Sequence, residues 1–259
     1  MEHLVAEYAY QSVAIENNKL KLGDSIFVRD ALVEKIFKST DISTASTAYL
    51  KSLSMPTAQD LLPRDSASQV AELRNHILVS QWVALSAPQK RGTVGLSERE
   101  LCDIAAIMVL DTDSEALYSA GWGGRYNLGQ YRRIPMQVQS NPLRVFPYPV
   151  EVPALMQKYL IWRNDLHERK ATHPLILACH LFIYFLFIHP FIDGNGRVGR
   201  TLLHDYMIRQ GYFPIIMQVL DRKDYLQMVS DAQDGKPEAF VEEVLLMQFD
   251  MLITLRSQD

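Results

Sequence analysis

His189-Pro190-Phe191-Ile192-Asp193-Gly194-Asn195-Gly196-Arg197-Val198-Gly199-Arg200 brings a histidine, a carboxylate, an amide, spaced glycines and two arginines into twelve residues. Gly194 and Gly196 can take backbone angles closed to other residues, so that successive N–H groups point into one concavity and cradle an anion. A helix that starts within the stretch adds its free N–H groups and the positive end of its dipole. Arg197 and Arg200, three apart, fall on one face of the first turn and offer two planar donor forks to phosphate oxygens. Asp193 is a hard oxygen ligand suited to Mg²⁺, which keeps few protein ligands and shares substrate phosphates. His189 can accept a proton near neutral pH. Together these residue types describe a nucleotide-phosphate site with a general base.

Two elements must position this stretch. In front runs Pro174 to Ile188, fifteen apolar residues broken only by His180. That is too short for an ordinary membrane span and reads as a helix buried on all sides. Behind runs a second helical pattern, Thr201 to Gln210, closed by Gly211 at the expected C′ place.

The twelve residues match the signature of the Fic family, His-Pro-Phe-x-(Asp/Glu)-Gly-Asn-Gly-Arg-x-x-Arg, at every specified position. The resemblance implies an all-α fold, a Fic-type helical bundle with a small β-hairpin flap beside the active site. It also implies transfer of AMP from ATP to a Ser, Thr or Tyr hydroxyl of a protein. On this resemblance His189 is the general base, and Asp193 holds Mg²⁺ (or Mn²⁺) across the α- and β-phosphates. Gly194 and Gly196 line the phosphate cradle, Asn195 bonds a phosphate oxygen, Arg197 grips the β/γ end and Arg200 the γ-phosphate. Phe191 is expected to plug the loop into the core. The family places an Asn after the next helix against the adenine or ribose; Gln233 stands at that place here, with Tyr225 as a second possible lining residue.

Ser12-Val13-Ala14-Ile15-Glu16-Asn17 is similar to the family's inhibitory motif, (Ser/Thr)-x-x-x-Glu-(Gly/Asn), N-terminal to the signature as in class II members. A helix docked there would aim the Glu16 carboxylate at Arg200 and put negative charge where phosphates should go. Gly129 to Val138, with a Gly-x-Tyr-Arg lead-in, resembles the flap that holds the target segment, which makes Tyr131, Ile134, Met136 and Val138 the target-docking residues. Pro135 within it suits an edge strand.

Composition sets outer bounds. The chain has 259 residues, 48% hydrophobic and 22% charged, and a formal net charge of −4. That argues against a nucleic-acid surface. Met1 to Glu7 lacks a basic stretch followed by an apolar core, so neither a signal peptide nor a membrane partner is expected, and the expected location is cytoplasmic. Cys102 and Cys179 sit in apolar helical patterns and read as reduced core thiols. One Fic-type domain, 1–259, is expected: an inhibitory segment over 1–22, a helical part over 23–110 and the core over 111–255. Within it, helices are expected near 2–16, 24–37, 68–87, 97–110, 153–169, 222–233 and from 237 on. A Ser-, Thr- and Pro-rich loop spans 38–68, and the backbone is irregular around Gly121-Trp122-Gly123-Gly124. Ile26, Phe27, Ala31, Val33, Ile36 and Phe37 form the expected buried stripe of the second helix. His173 and His180 read as core histidines and His204 as a packed polar residue. No exposed apolar stripe marks a dimer face, although many relatives pair.

The leading function is a self-inhibited protein adenylyltransferase that uses ATP, acting on a protein substrate and on itself. The same site running backwards, as a de-AMPylase or a bifunctional enzyme, is the alternative. A non-catalytic nucleotide sensor that docks a partner is another, though it has no need of His189. Kinase-like relatives carry Lys in place of the second glycine, and Gly196 speaks against that class.

Overall fold

Fifteen successive residues without a charged side chain can escape water only by being enclosed, and the rest of the chain is arranged to enclose them. The computed structural model describes residues 4–119, 126–138, 141–215 and 221–256; the glycine cluster at 121–124 lies outside them. The helices are α1 (Val5–Ile15), α2 (Leu22–Leu32), α3 (Thr47–Ser52), α4 (Ala58–Leu61), α5 (Ala67–Ser86), α6 (Glu98–Val109), α7 (Val152–Arg169), α8 (Pro174–Ile188), α9 (Asn195–Arg209), α10 (Arg222–Gln233) and α11 (Glu238–Arg256). Two short antiparallel strands, β1 (Gln137–Val138) and β2 (Asn141–Val145), pair with each other. The fold is all-α, as the resemblance implied.

Helix α8 is the hub. Pro174 opens it, where a missing N–H costs nothing. Leu177, Ala178, Leu181, Phe182, Phe185 and Ile188 are fully enclosed, and α7, α9, α10 and α11 pack around it. Gly199 on α9 lies against the Phe182 ring, so close that an added Cβ would sit 3.1 Å from two ring carbons. That contact brings α8 and α9, the two helices flanking the signature loop, side by side.

A second apolar cluster joins the N-terminal arm to the bundle. Val5, Ala9 and Val13 of α1 meet Val28 and Leu32 of α2 and Val70, Leu73 and Ile77 of α5. Each large side chain buried there contributes about 1.5–3 kcal/mol, so α1 is docked by its own apolar face. Helix α6 starts at the expected capping box, Ser97 accepting from the Glu100 N–H and Glu100 from the Ser97 N–H. The loop expected over 38–68 contains only the short α3 and α4.

Several expectations need correction. On α2 the buried face is Ser25, Val28 and Leu32, while Ile26 and Phe27 point outward, 43% and 53% exposed. The Ser25 hydroxyl donates to the Ala6 carbonyl and thereby turns that face towards α1. His173 is exposed, with Nε2 3.3 Å from the Tyr212 hydroxyl, and His180 is only half-buried. Helix α11 buries Phe240 and Val244 but exposes Leu245, Leu246, Phe249, Leu252 and Ile253, so an apolar stripe is present after all.

The hairpin begins later than expected. Only Gln137 and Val138 of the expected 129–138 stretch lie in a strand, and its partner is 141–145. The reason is Arg132, whose N–H donates to the Pro190 carbonyl and whose side chain is buried. Residues 129–135 therefore lie against the signature loop outside the strand pair, while the Met136 carbonyl still accepts from the Phe146 N–H at 3.1 Å.

Gly129 and Gly211 both adopt left-handed angles, φ +79° and +88°. A Cβ at Gly211 meets open space, whereas one at Gly129 collides with the Cys102 carbonyl. Urea denaturation should show Gly211→Ala losing about 1–2 kcal/mol and Gly129→Ala losing more than about 3 kcal/mol. Equal losses at the two positions would contradict the packing described for Gly129.

Candidate active site

The buried helix α8 has to stop, and it stops on His189, which takes the left-handed conformation with φ 51° and ψ 59°. The loop then carries Pro190 to Gly194 back to the start of α9. Phe191 is fully buried in the α8 core, as expected. Gly194, φ +79°, is the N-cap of α9 and no side chain caps it. The first N–H groups of α9 thus lack acceptors and face the cavity beside them. That cavity is about 610 Å³ and is lined by Glu16, His189, Asp193, Gly194, Asn195, Gly196, Arg200, Arg222, Tyr225 and Gln233, with Met136 and Phe146 from the hairpin region. The volume suits a nucleotide-sized ligand.

Arg200 is 2% exposed and every donor nitrogen is engaged. Nε donates to the Ser12 hydroxyl at 2.6 Å, and Nη2 to the Ser12 carbonyl at 2.8 Å and to Glu16 Oε1 at 2.7 Å. Nη1 reaches the Tyr225 hydroxyl at 3.3 Å. The spacing Ser12–Glu16 places both side chains on one side of the last turn of α1, and Asn17, φ 69°, ends the helix there. Arg222 secures that end by donating from Nε to the Ile15 carbonyl. Asn18 then fastens the following turn to α5 through the Gln69 carbonyl and Glu72.

The other arginine behaves differently. Arg197 does not line the cavity; it turns behind the loop, donating to the Met108 carbonyl at 2.9 Å and pairing with Glu72 at 3.1 Å and Asp193 at 3.2 Å. The expectation that it grips a phosphate end is corrected: it braces the loop from beneath. Asn195 lines the cavity, and its amide is also engaged within the loop. Its Oδ1 accepts from the Phe191 N–H and its Nδ2 donates to the Phe191 carbonyl, both at 2.9 Å, so the amide holds the loop closed on itself. Asp193 keeps one oxygen towards the cavity while Oδ2 is held by Ser114 and Arg197.

His189 lies half-buried with its ring stacked on Phe146, centroids 3.8 Å apart and planes 14° from parallel. Burial and the nearby Arg132 cation push its pKa down to about 4, against the Leu186 backbone, Asp193 and Glu16, which act the other way. The imidazole is therefore neutral at pH 7, with a lone pair to accept a proton.

Of the expected docking residues, Met136 reaches the cavity. Tyr131 and Ile134 do not. The Tyr131 hydroxyl donates to Glu98 and its ring packs on Phe191, and Ile134 packs with Val109, Tyr118 and Ile192. Val138 sits in β1, and its side chain lies outside the described residues. Gln233 and Tyr225 line the cavity. Sequence reasoning missed Phe146, Ser114, Glu72 and Arg222, for which no local pattern gives a signal. It also passed over Arg132, which the Gly-x-Tyr-Arg lead-in could have flagged. Glu72, half-buried between Asn18 and Arg197, has its carboxyl pushed up by desolvation.

Behind Arg200 lies a buried polar group, with His204 edge-on to Tyr8 at 4.2 Å and His76 at 5.9 Å from the same ring. Burial and the Arg200 charge push His204 down to about 3, and the same two causes, with Arg197, lower His76. In the unfolded chain these rings and His189 take a proton below their ordinary value near 6.5, while in the fold they stay neutral. Stability is thus complete above that value and falls as the pH drops towards 4, each ring contributing about 1.4 kcal/mol per pH unit. Asp205, raised to about 6 by burial, and Glu72 act in the opposite direction, which leaves a net loss of about 1–3 kcal/mol per unit between pH 6 and 5. Chemical denaturation across that range should show this slope, and His204→Phe should flatten it by about one histidine's share.

Comparison with known proteins bears on the signature stretch and the fold. A model of the Fic/DOC family matches residues 95–207. The protein adenylyltransferase Fic of Drosophila persimilis is 34% identical over 113 residues, 44% of this chain and 22% of that protein. The namesake from Drosophila grimshawi gives 34% over the same length, 23% of that protein. The match therefore spans less than a quarter of those relatives. Among solved structures, a fragment of Fic-1 from C. elegans superposes with a TM-score of 0.65 at 22% identity, over 95% of this chain and 60% of that one. A Fic domain containing signaling protein from Bacteroides thetaiotaomicron gives 0.63 at 21%, over 96% and 82%. At such identities the structural likeness speaks for the fold alone. Signature, family match and fold coincide on the same stretch, and residues 95–207 carry a Fic/DOC-family domain.

Proposed function

We propose that this chain is a protein adenylyltransferase held in a self-inhibited state. The observation that carries the reading is the Glu16–Arg200 pair, 2.7 Å, set in a cavity where His189 and the uncapped N-terminus of α9 converge. ATP would lie with its phosphates on the free N–H groups of α9 and against Arg200, and its base towards Tyr225 and Gln233. His189 would take the proton of a target hydroxyl as that oxygen attacks the α-phosphorus. The bond between the α-phosphorus and the bridging oxygen breaks, and pyrophosphate leaves. A resting pKa near 4 suits a site awaiting a polyanion, because the phosphates would raise the basicity of the ring.

A divalent cation fits the donor set. Asp193 offers one hard oxygen to the cavity while Ser114 and Arg197 fix the other, and Mg²⁺ needs only one or two carboxylates when phosphates complete its shell. Bound there, Mg²⁺ would offset charge on the phosphates and the leaving group. Among the described residues no cluster of three His, Cys, Asp or Glu side chains forms a protein-only site.

One observation favours a second reading. Glu16 Oε2 makes no hydrogen bond with the described residues, and the side chain is 33% exposed at the cavity. That oxygen could orient a water for removal of AMP from a modified protein. Among the described residues no helix is long and apolar enough to cross a membrane.

Label transfer from ATP decides between them. With Mg²⁺ and α-labelled ATP, wild type should label itself or an extract weakly, Glu16→Gly strongly, and Glu16→Gly/His189→Ala at least about 10³-fold less than Glu16→Gly. Transfer of γ-label would make the chain a kinase. Release of AMP from a pre-labelled protein by wild type but not by Glu16→Gly would establish the second reading.

A further inference from the structure

The loop before β1 contains a cation that the proposed chemistry does not use. Arg132 is 1% exposed, and among the described residues no carboxylate pairs with it. Its partners are backbone carbonyls: Nε donates to His189 at 2.7 Å, Nη2 to Pro147 at 2.6 Å and Ile188 at 3.4 Å, and Nη1 to Ile134 at 3.2 Å. Its own N–H donates to the Pro190 carbonyl at 2.8 Å. A cation without a counterion is costly to bury. Here it is compensated by the end of α8, where the last carbonyls lack intrahelical partners and the dipole is negative.

These contacts surround one residue. His189 is held left-handed, a conformation that costs a side-chain-bearing residue about 1–2 kcal/mol and persists only where neighbours over-determine it. Arg132 binds the carbonyls on both sides of that turn, Ile188 and His189, and by its N–H the next one, Pro190. Through Pro147 it also fixes the segment carrying Phe146, whose ring covers the imidazole. We propose that Arg132 is the positioning residue of the site, fixing both the left-handed turn that presents the His189 ring and the Phe146 face against which that ring rests. The inference rests on the reading of His189 as the reacting base.

The charge of Arg132 has a second consequence. The charged groups that face the His189 ring are Arg132 from the loop before β1, Asp193 from the signature loop and Glu16 from α1. Only Arg132 favours the neutral ring. Removing its charge leaves two carboxylates that favour the protonated form, so the ring should titrate at higher pH.

The test compares Arg132→Met and Arg132→Lys, each in the Glu16→Gly background. It follows the His189 ring by NMR titration, assigned by its loss in His189→Ala, together with ATP kinetics. Arg132→Met should raise the His189 midpoint by about one pH unit and weaken the ring–ring NOE to Phe146. Its kcat should fall about 10²-fold, with KM for ATP within about threefold, because Arg132 meets the cavity lining only through the His189 backbone carbonyl. Arg132→Lys keeps the charge but cannot serve four carbonyls; its midpoint should stay, and kcat should fall about tenfold. An unchanged midpoint, NOE and kcat in a folded Arg132→Met variant would overturn the proposal. If that variant does not fold, an unchanged kcat in Arg132→Lys would do the same. Should the Glu16→Gly parent transfer no AMP, the adenylyltransferase reading fails, and the midpoint and NOE still decide the role of Arg132.

Discussion

A guanidinium buried to 2% exposure must have its charge answered, and in this molecule the answer determines what the site can do. Arg200 projects from α9 into a volume bounded by α1, α10 and the signature loop. At rest the answer comes from α1, through the Ser12 hydroxyl and carbonyl and the Glu16 carboxylate. Tyr225 of α10 supplies the fourth contact. A phosphate brought into the cavity could answer the same charge, but only by taking the place of Glu16. Inhibition and nucleotide binding thus draw on one cation.

Magnitudes show how the two are separated. A charge-assisted hydrogen bond such as Glu16–Arg200 contributes about 1.5–3 kcal/mol. The apolar face of α1, with Val5 and Val13 among its enclosed side chains, contributes at least as much again. Ser12 retains two contacts to Arg200 that do not involve Glu16. The helix therefore stays docked when the carboxylate is removed, and losing Glu16 clears the phosphate position without freeing the arm. The carbonyl of Ile15, held by Arg222, and Asn18, held by Gln69 and Glu72, anchor the end of α1 independently.

How far this could be read from the sequence depended on whether the partners were local. The buried apolar helix, the glycine turn and the Ser97–Glu100 capping box follow from residues a few positions apart, and α8, α9 and the loop between them came out in place. Ser12, Glu16 and Arg200 were legible because a family spacing links residues 184 positions apart. The two signature arginines were only half legible. Spacing put Arg197 and Arg200 on one face of the first turn, but Glu72 and the Met108 carbonyl, supplied by α5 and α6, draw Arg197 away from the cavity. Arg132 shows the same limit: its role lies in carbonyls of three segments, and carbonyls carry no side-chain identity to read. The hairpin was placed several residues early for that reason.

Gly196 sharpens the account of mutual exclusion. It does not take a left-handed conformation, so its lack of a side chain is not a matter of backbone freedom. A Cβ there would run into the Glu16 carboxylate, with Arg200 Nη1 3.1 Å away. The glycine leaves a notch at the first turn of α9, beside free N–H groups, and Glu16 now fills it. A phosphate seated on those N–H groups would need the same notch. Carboxylate and phosphate are then exclusive on two grounds: like charges repel, and the notch holds one of them. Repulsion between charges is screened by salt, whereas occupied volume is not, so high ionic strength alone should not open the site.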